Sequence, residues 1–585
     1  MRRLPRLAGV PAVIRRLAAT AVLLLSVLVT AGDLPPVPLP PPGVFTPVWE
    51  TSADEPGNRY DGARPFAVTG DLVLSVTGPS GDVLLRDLRT GRPRAVLRGP
   101  AGHRLEGAWP AGDVVVVHRS TRDGAVHRLT GYGTGSGREL WEADVPAALY
   151  GGPGQVPADL RVDATPGGVT LVSAGSGAAA GISPRDGSTA WRVPLPRGDA
   201  CAGTTGAGPA LLVTVVRCGS GPATLWALDP ATGTTRWRDT LPLRPDGTGD
   251  DPQEEEGAGE PDAVEVARDG TALVSADGRH RLYAPGGRRI DVDGHGPAYG
   301  LAVAGDVAAY TVRSPGGSPP VTVAVERDGD VRWRRGLPGY EMHDLGERSR
   351  PGLAVLQDDA GKEGGRPGPA FLVVADVGRG DVAWRPLPTA ASASTLLGAA
   401  AGLVLVGHVD GRGGDADGRI TAYRLSRPRG AGPAALAGTE PSAWPDACGL
   451  LNVDDLRILG PGYSSHPRHR RVGGTGLPRP TGCDYVPPTD DGPAVAVTVA
   501  WVAPSPDAAR LLVSTALAHM RREMSPVEPR DEGVWLLDGP GMAPVPDSAL
   551  VGVGGVVVHL SVFGDPGGAR KVAGVVARNL RRAHR

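Results

Sequence analysis

The sequence predicts a mainly β chain, an eight-bladed β-propeller (seven-bladed as the alternative) followed by a smaller α+β domain. Three observations predict it. A glycine is followed four residues later by a tryptophan at Gly137/Trp141, Gly187/Trp191, Gly233/Trp237, Gly329/Trp333 and Gly380/Trp384. These tryptophans lie 50, 46, 96 and 51 residues apart, so a unit of roughly 48 residues recurs and one copy has lost its Trp. Within each unit, short apolar runs alternate with turn formers. Beyond residue 440 the texture shifts to helical spacing.

The best-preserved unit, residues 209–243, sets the pattern. Leu211 to Val216 is apolar, a Gly-Ser-Gly-Pro break follows, and Thr224–Leu228 and Thr234–Trp237 flank a turn. Short β-branched or apolar runs bounded by turn residues are the signature of strands in hairpins. The turn Asp229-Pro-Ala-Thr-Gly233 begins with residues suited to a type I turn. It closes on a glycine that can take a positive φ at a bulge. Four-residue spacing also suits a helix face, but the glycine and its Asp or Pro neighbours would break any helix spanning the pair.

Eight units can be laid on the chain, at 66–99, 105–146, 160–196, 202–243, 263–294, 299–339, 343–388 and 394–430. The first, fifth and eighth lack the Trp. In the fifth, the turn Pro285-Gly286-Gly287 persists and Ile290 stands four residues after Gly286, a smaller occupant for the same slot. The segment 44–52, with Trp49, reads as a detached outer strand that completes the eighth unit and removes an open sheet edge.

The segments LWALDPATGTTRW (225–237), GISPRDGSTAW (181–191) and TVAVERDGDVRW (322–333) carry a resemblance. Over roughly 44–430 the chain resembles the quinoprotein-like, PQQ-binding-like β-propeller repeat family. That family includes cofactor-dependent dehydrogenases and non-catalytic envelope proteins, so the resemblance implies a fold and leaves the activity open. A quinone dehydrogenase of the family implies adjacent cysteines, a calcium site and a basic residue near the cofactor. The chain has no Cys-Cys pair and no recognisable Asp/Asn/Glu cluster. It also has no G-x-S-x-G, H-E-x-x-H or phosphate-binding loop. No catalytic, cofactor-binding or metal-ligating residue is therefore nominated.

The first 32 residues read as an export signal or membrane anchor. Arg2, Arg3, Arg6, Arg15 and Arg16 precede an apolar run over 17–31. An uncleaved anchor with a cytoplasmic Arg-rich end is preferred over a secreted product cut after Val29-Thr30-Ala31. The stretch 33–43 is a stiff Pro-rich spacer, 44–430 the propeller, 431–441 a linker and 442–585 the α+β domain. Both readings of the leader place the body outside the cytoplasm.

Four cysteines agree with that compartment. Cys201, Cys218, Cys448 and Cys483 allow three pairings, of which Cys201–Cys218 and Cys448–Cys483, each within one domain, are the economical set. A metal site is the rival; no CxxC and no nearby paired histidines support it. Formal net charge is −2, with no basic surplus to suggest nucleic acid. Gly 87 and Pro 59 punctuate the apolar runs. Lys362 and Lys571 are the only lysines against many arginines, the bias of a high-GC genome such as an actinobacterial one.

In 442–585 helical spacing marks Leu450, Leu451, Val453, Leu456 and Leu459, with Asn452 or Asp454 as a cap. A loop runs on to Gly482. A strand at 494–502, a helix at 506–522, strands at 534–537 and 551–562, and an amphipathic helix at 569–582 follow. On the first helix Ala508, Leu511, Leu512, Thr515 and Ala518 form the apolar side, with Leu517 off it. The motifs Cys448-Gly-Leu-Leu, Asp455, Cys483-x-Tyr485 and Asp531-Glu-Gly-Val-Trp535 resemble a domain of actinobacterial envelope lipoproteins. This second resemblance implies an extracytoplasmic location and a Cys448–Cys483 bridge.

Three charged segments carry candidate chemistry. The acidic run 250–265 reads as a solvated insertion, His466 to Arg471 as a basic surface loop, and 410–418 as a long turn without EF-hand ligand spacing. The expected function is a non-enzymatic, membrane-tethered, extracytoplasmic scaffold that binds an unidentified protein or envelope component. Its membrane contact would run through the N-terminal segment. A quinone-dependent oxidoreductase and an extracellular small-ligand sensor are the alternatives.

Overall fold

The computed structural model describes residues 44–51 and 67–583, save for short segments in the latter, the longest being 150–160, 242–262, 359–367, 427–435 and 538–546. The leader and the Pro-rich spacer fall outside the described residues, as do 431–435 of the linker, the acidic run up to 262, and 411–416. No helix among the described residues is long and apolar enough to cross a membrane.

Among the described residues, eight antiparallel four-stranded sheets follow one another along the chain. They are numbered sheets 1 to 8, spanning 67–97, 103–144, 161–194, 201–241, 263–290, 298–335, 342–390 and 394–426. In sheets 1 to 7 the four strands pair in chain order. Sheet 8 has three strands of its own, and its fourth is the N-terminal strand Val44–Glu50, paired antiparallel with Asp417–Ser426. The first strand of each sheet touches the first strand of the next, and that of sheet 8 returns to that of sheet 1.

The middle strands explain the arrangement. Val114–Thr121 is buried at seven of its eight positions, and Ala178–Ile182 at all five. A strand buried on both faces needs a neighbour on each side. Fourth strands such as Thr189–Pro194 are instead largely exposed. One apolar core lies between each pair of sheets. Val116, Leu129 and Trp141 of sheet 2, for instance, pack against Val169, Leu171 and Ala180 of sheet 3.

Beyond the eighth sheet lies a seven-stranded antiparallel sheet 9. Its strands run Ser464–Arg468, Gly482–Val486, Ala494–Val502, Val556–Phe563, Asp547–Val553, Val534–Leu537, Glu528–Arg530. Three helices accompany it: α1 (Ala447–Leu450), α2 (Pro506–Glu523) and α3 (Gly568–Ala583). The Asp547 carboxylate accepts the Ala569 N–H at 2.8 Å and caps α3.

Three local expectations need correction. Residues 442–460 do not form one helix. They fold into α1 and two short 3-10 turns, Pro441–Ala443 and Asp455–Ile458. Asp446 caps α1 by accepting from the Cys448 N–H, and Asn452 exchanges hydrogen bonds with Asp455 across the next turn. The expected loop before Gly482 contains the edge strand Ser464–Arg468. Leu517 lies on the buried face of α2 with Ala509, Leu512, Val513 and Ala516. That face is set by the sheets on either side of α2 rather than by a solvent boundary, so its stripe is wider than periodicity alone suggests.

Candidate functional site

The recurrent glycines and tryptophans meet between sheets, not within one. Each long turn joining third and fourth strands closes on a glycine at positive φ: Gly91 69°, Gly137 64°, Gly187 72°, Gly233 70° and Gly380 70°. In the turn 229–233, Gly233 N–H donates to the Asp229 carbonyl, while the Asp229 carboxylate accepts from the amides of Ala231 and Thr232. An aspartate at this place holds the turn by satisfying amides that would otherwise be unpaired. Arg236 reaches back to the same carboxylate, and Arg94 does so to Asp87 in sheet 1 at 2.5 Å. Arg94 holds Asp87 down to about 2.

Each indole then rests on the glycine turn of the next sheet. A Cβ added at Gly187 would lie 2.5 Å from the Trp141 ring, at Gly233 2.6 Å from Trp191, at Gly287 2.5 Å from Trp237, and at Gly380 2.9 Å from Trp333. The indole N–H also donates to the carbonyl next to the first turn residue. Trp141 bonds Pro184 at 2.7 Å, Trp191 bonds Pro230 at 3.0 Å, and Trp333 bonds Val377 at 2.8 Å. Trp49 does the same from the N-terminal strand, bonding Leu88 at 2.8 Å and lying on Gly91.

The variants of the pattern are informative. In sheet 5 the turn is one residue shorter, and Trp237 stacks on Tyr283 at 5.0 Å, its N–H buried without a partner. Ile290, opposite Leu282, stands where sheets 2, 3, 4 and 6 carry Trp. Gly329 closes a similarly short turn at φ 105°, and the sheet 5 residue Arg288 donates to the Arg327 carbonyl in that turn. Gly137 receives Ala95 of sheet 1 in place of an indole.

Trp384 departs from the rule. Trp141, Trp191, Trp237 and Trp333 pair with Gly131, Gly181, Ala227 and Ala324, small residues two positions before the turn. Trp384 instead pairs with Val373, three positions before Asp376. One step of register turns a strand residue to the opposite face. Trp384 accordingly packs with Phe371 (6.0 Å, edge to face) in the core shared with sheet 6 and sheet 9, not with sheet 8. The small residues under the indoles are packing positions that the Gly-to-Trp spacing does not reveal. Their signal is a Gly or Ala ten residues before Trp141, Trp191 and Trp237.

Both cystines form: Cys201–Cys218, across neighbouring strands of sheet 4, and Cys448–Cys483, tying α1 to sheet 9. Among the charged segments, Glu265 accepts from the amides of Gly300 (2.6 Å) and Leu301 (2.5 Å), fastening sheet 5 to sheet 6. His466 to Arg468 belong to the edge strand, where Arg468 pairs with Asp484 at 2.7 Å. Asp410 and Asp417 are register partners at the ends of two strands of sheet 8.

Among the buried histidines, His118 and His408 sit where strands meet. His118 shares a 2.7 Å hydrogen bond with His127, and burial, with His127 beside it, holds it down to about 4. His408 meets the Thr389 and Ser394 hydroxyls at 3.0 and 3.3 Å and is likewise held by burial to about 4. A neutral buried imidazole bonded to hydroxyls or to a second imidazole joins strands. Among the described residues, no three His, Cys, Asp or Glu side chains converge as a metal site, and each cysteine is bonded across separate segments.

A family model described as outer membrane protein assembly factor BamB matches residues 127–264, which contain sheets 3 and 4. No curated protein matches the chain. Among solved structures, BamB from Moraxella catarrhalis is similar at 15% identity and a TM-score of 0.39, covering 65% of this chain and 100% of its own. Quinohemoprotein alcohol dehydrogenase from Comamonas testosteroni is similar at 12% identity and 0.38, covering 66% and 77%. The WD40 domain of SCAP from fission yeast is similar at 9% identity and 0.38, covering 65% and 97%.

Proposed function

We propose that this chain is an extracytoplasmic, non-enzymatic binding scaffold, an eight-bladed closed propeller followed by an α+β domain and tethered to the membrane through residues 1–32. One observation carries the reading. The side chains that would be catalytic candidates elsewhere (Glu265, His118, His127, His408) are spent on joining strands and sheets, and the indoles on wedging them. A surface carried on sheets joined in this way is the form suited to holding a partner. Two cystines support an oxidising compartment. The family model over 127–264 belongs to an assembly factor, which supports a protein or envelope component as the partner.

The test is cross-linked capture of the tagged full chain from intact cells, with protease added outside. The reading expects protease access to the body and the same envelope partner recovered through stringent washing. Incubation of the purified protein with pyrroloquinoline quinone and Ca²⁺ supplies the opposing result. A bound-cofactor spectrum with alcohol or sugar oxidation would replace the scaffold by an oxidoreductase.

A further inference from the structure

At most junctions between sheets, a glycine turn of one sheet receives a side chain of its predecessor. Among the described residues, the junction between sheets 7 and 8 shows no such device. The fourth strand of sheet 8 comes from the N-terminus, so no hairpin links its third and fourth strands, and Trp384 has turned to the other face. The junction is filled by Leu372, Val374 and Leu387 against Leu396, Val404 and Val406, with Thr389 bonded to Ser394 and His408 beside them.

The segment after the propeller is seated beside this place, with α2 against both sheets and Trp501 in the core shared with sheet 6. Helix α2 touches both Val382–Ala390 of sheet 7 and Leu403–Asp410 of sheet 8. Just before α2, Trp501 lies edge to face with Phe371 of sheet 7 at 6.0 Å and with the fully buried Trp444 at 5.5 Å. One continuous core therefore runs from Trp333 of sheet 6 through Phe371 and Trp501 to Leu580 of α3. Edge-to-face aromatic contacts add to the area they bury, and they fix orientation as an indole on a turn does.

We propose that the C-terminal segment 436–583 is a brace built into the fold, which clamps sheets 7 and 8 in place of the missing indole-and-turn wedge. The inference rests on the closed-ring reading, yet its failure would leave ring closure at Trp49 untouched. Its occupant is this chain's own Trp501 and α2. The propeller would then be stable only with the C-terminal segment docked, and a partner that displaced α2 would loosen these two sheets first.

Hydrogen exchange on the full-length protein tests it. Trp501→Ala should speed exchange at least tenfold in Pro369–Asp376 and Leu403–Asp410, while Gly168–Ser173 and Leu212–Cys218 keep wild-type protection. Trp191→Ala should do the reverse, loosening the latter pair of strands. Should Trp501→Ala fail to fold, Trp501→Phe should show the same distribution at smaller amplitude. Faster exchange confined to sheet 9, or spread evenly over all sheets, would overturn the brace.

Discussion

Trp49 donates its indole N–H to the Leu88 carbonyl at 2.8 Å, so a strand near the start of the chain holds the turn of the first complete sheet while completing the last. Around it, Thr51 N–H bonds the Ile420 carbonyl, and Glu50 pairs with Arg419 at 3.0 Å. The contact repeats the geometry of Trp141, Trp191 and Trp333, and it occurs where the two ends of the repeat array meet.

Trp49→Ala should therefore destabilise the protein by up to about 3 kcal/mol, below the full value for a buried Trp because the ring is only half-buried. Chemical unfolding measures the loss. Trp49→Phe, which keeps the ring and drops the hydrogen bond, should lose about 1 kcal/mol. Equal losses for the two variants would remove the packing role assigned to the ring.

The cystines should differ in reactivity. Cys218 is exposed at the rim of sheet 4, whereas Cys483 is fully buried. Thiol titration of the denatured, unreduced protein should find no free thiol. Under native conditions dithiothreitol should open Cys201–Cys218 first, as read by alkylation and mass spectrometry. By loop closure each bridge contributes about 3–4 kcal/mol.

Stability should fall with acid in two steps. His118 and His408 have folded pKa values lowered from 6.5 to about 4, so the unfolded chain binds their protons first. Their contribution is whole above about pH 6.5 and lost as the pH falls towards 4, by up to about 3 kcal/mol for each. Around His118 stand His127 and Glu106; Arg419 faces His408. Asp87, lowered from 3.8 to about 2 by Arg94, contributes above pH 4 and is lost between about 4 and 2. Urea midpoints between pH 8 and 4 should decline less steeply in His408→Gln than in wild type.

The repeat was legible because two residues with narrow requirements mark it. Only glycine sits easily at the positive φ that ends each turn, and tryptophan supplies the flat face resting on the next one. Trp384 shows the limit. Its spacing from Gly380 matches the others, but a one-residue register step, invisible in spacing, sends it to the opposite face. The edge strand Ser464–Arg468 was illegible for another reason. Its residues are polar and include Pro467, a composition tolerated on an edge and unlike an interior strand. Helix α2 lies between propeller and sheet 9, so its wide buried face hid Leu517 from a single-stripe reading.

A double-mutant cycle on Trp191 and Gly233 tests the wedge most directly. Gly233→Ala places a Cβ 2.6 Å from the indole and forces φ 70° on alanine, so it should be strongly destabilising. Trp191→Ala removes the obstruction and leaves only the backbone strain. The account predicts a combined loss smaller than the sum of the single losses by about 1–2 kcal/mol, measured by urea unfolding. Losses that add within about 0.5 kcal/mol would show that indole and turn do not meet, and the wedged ring would be wrong.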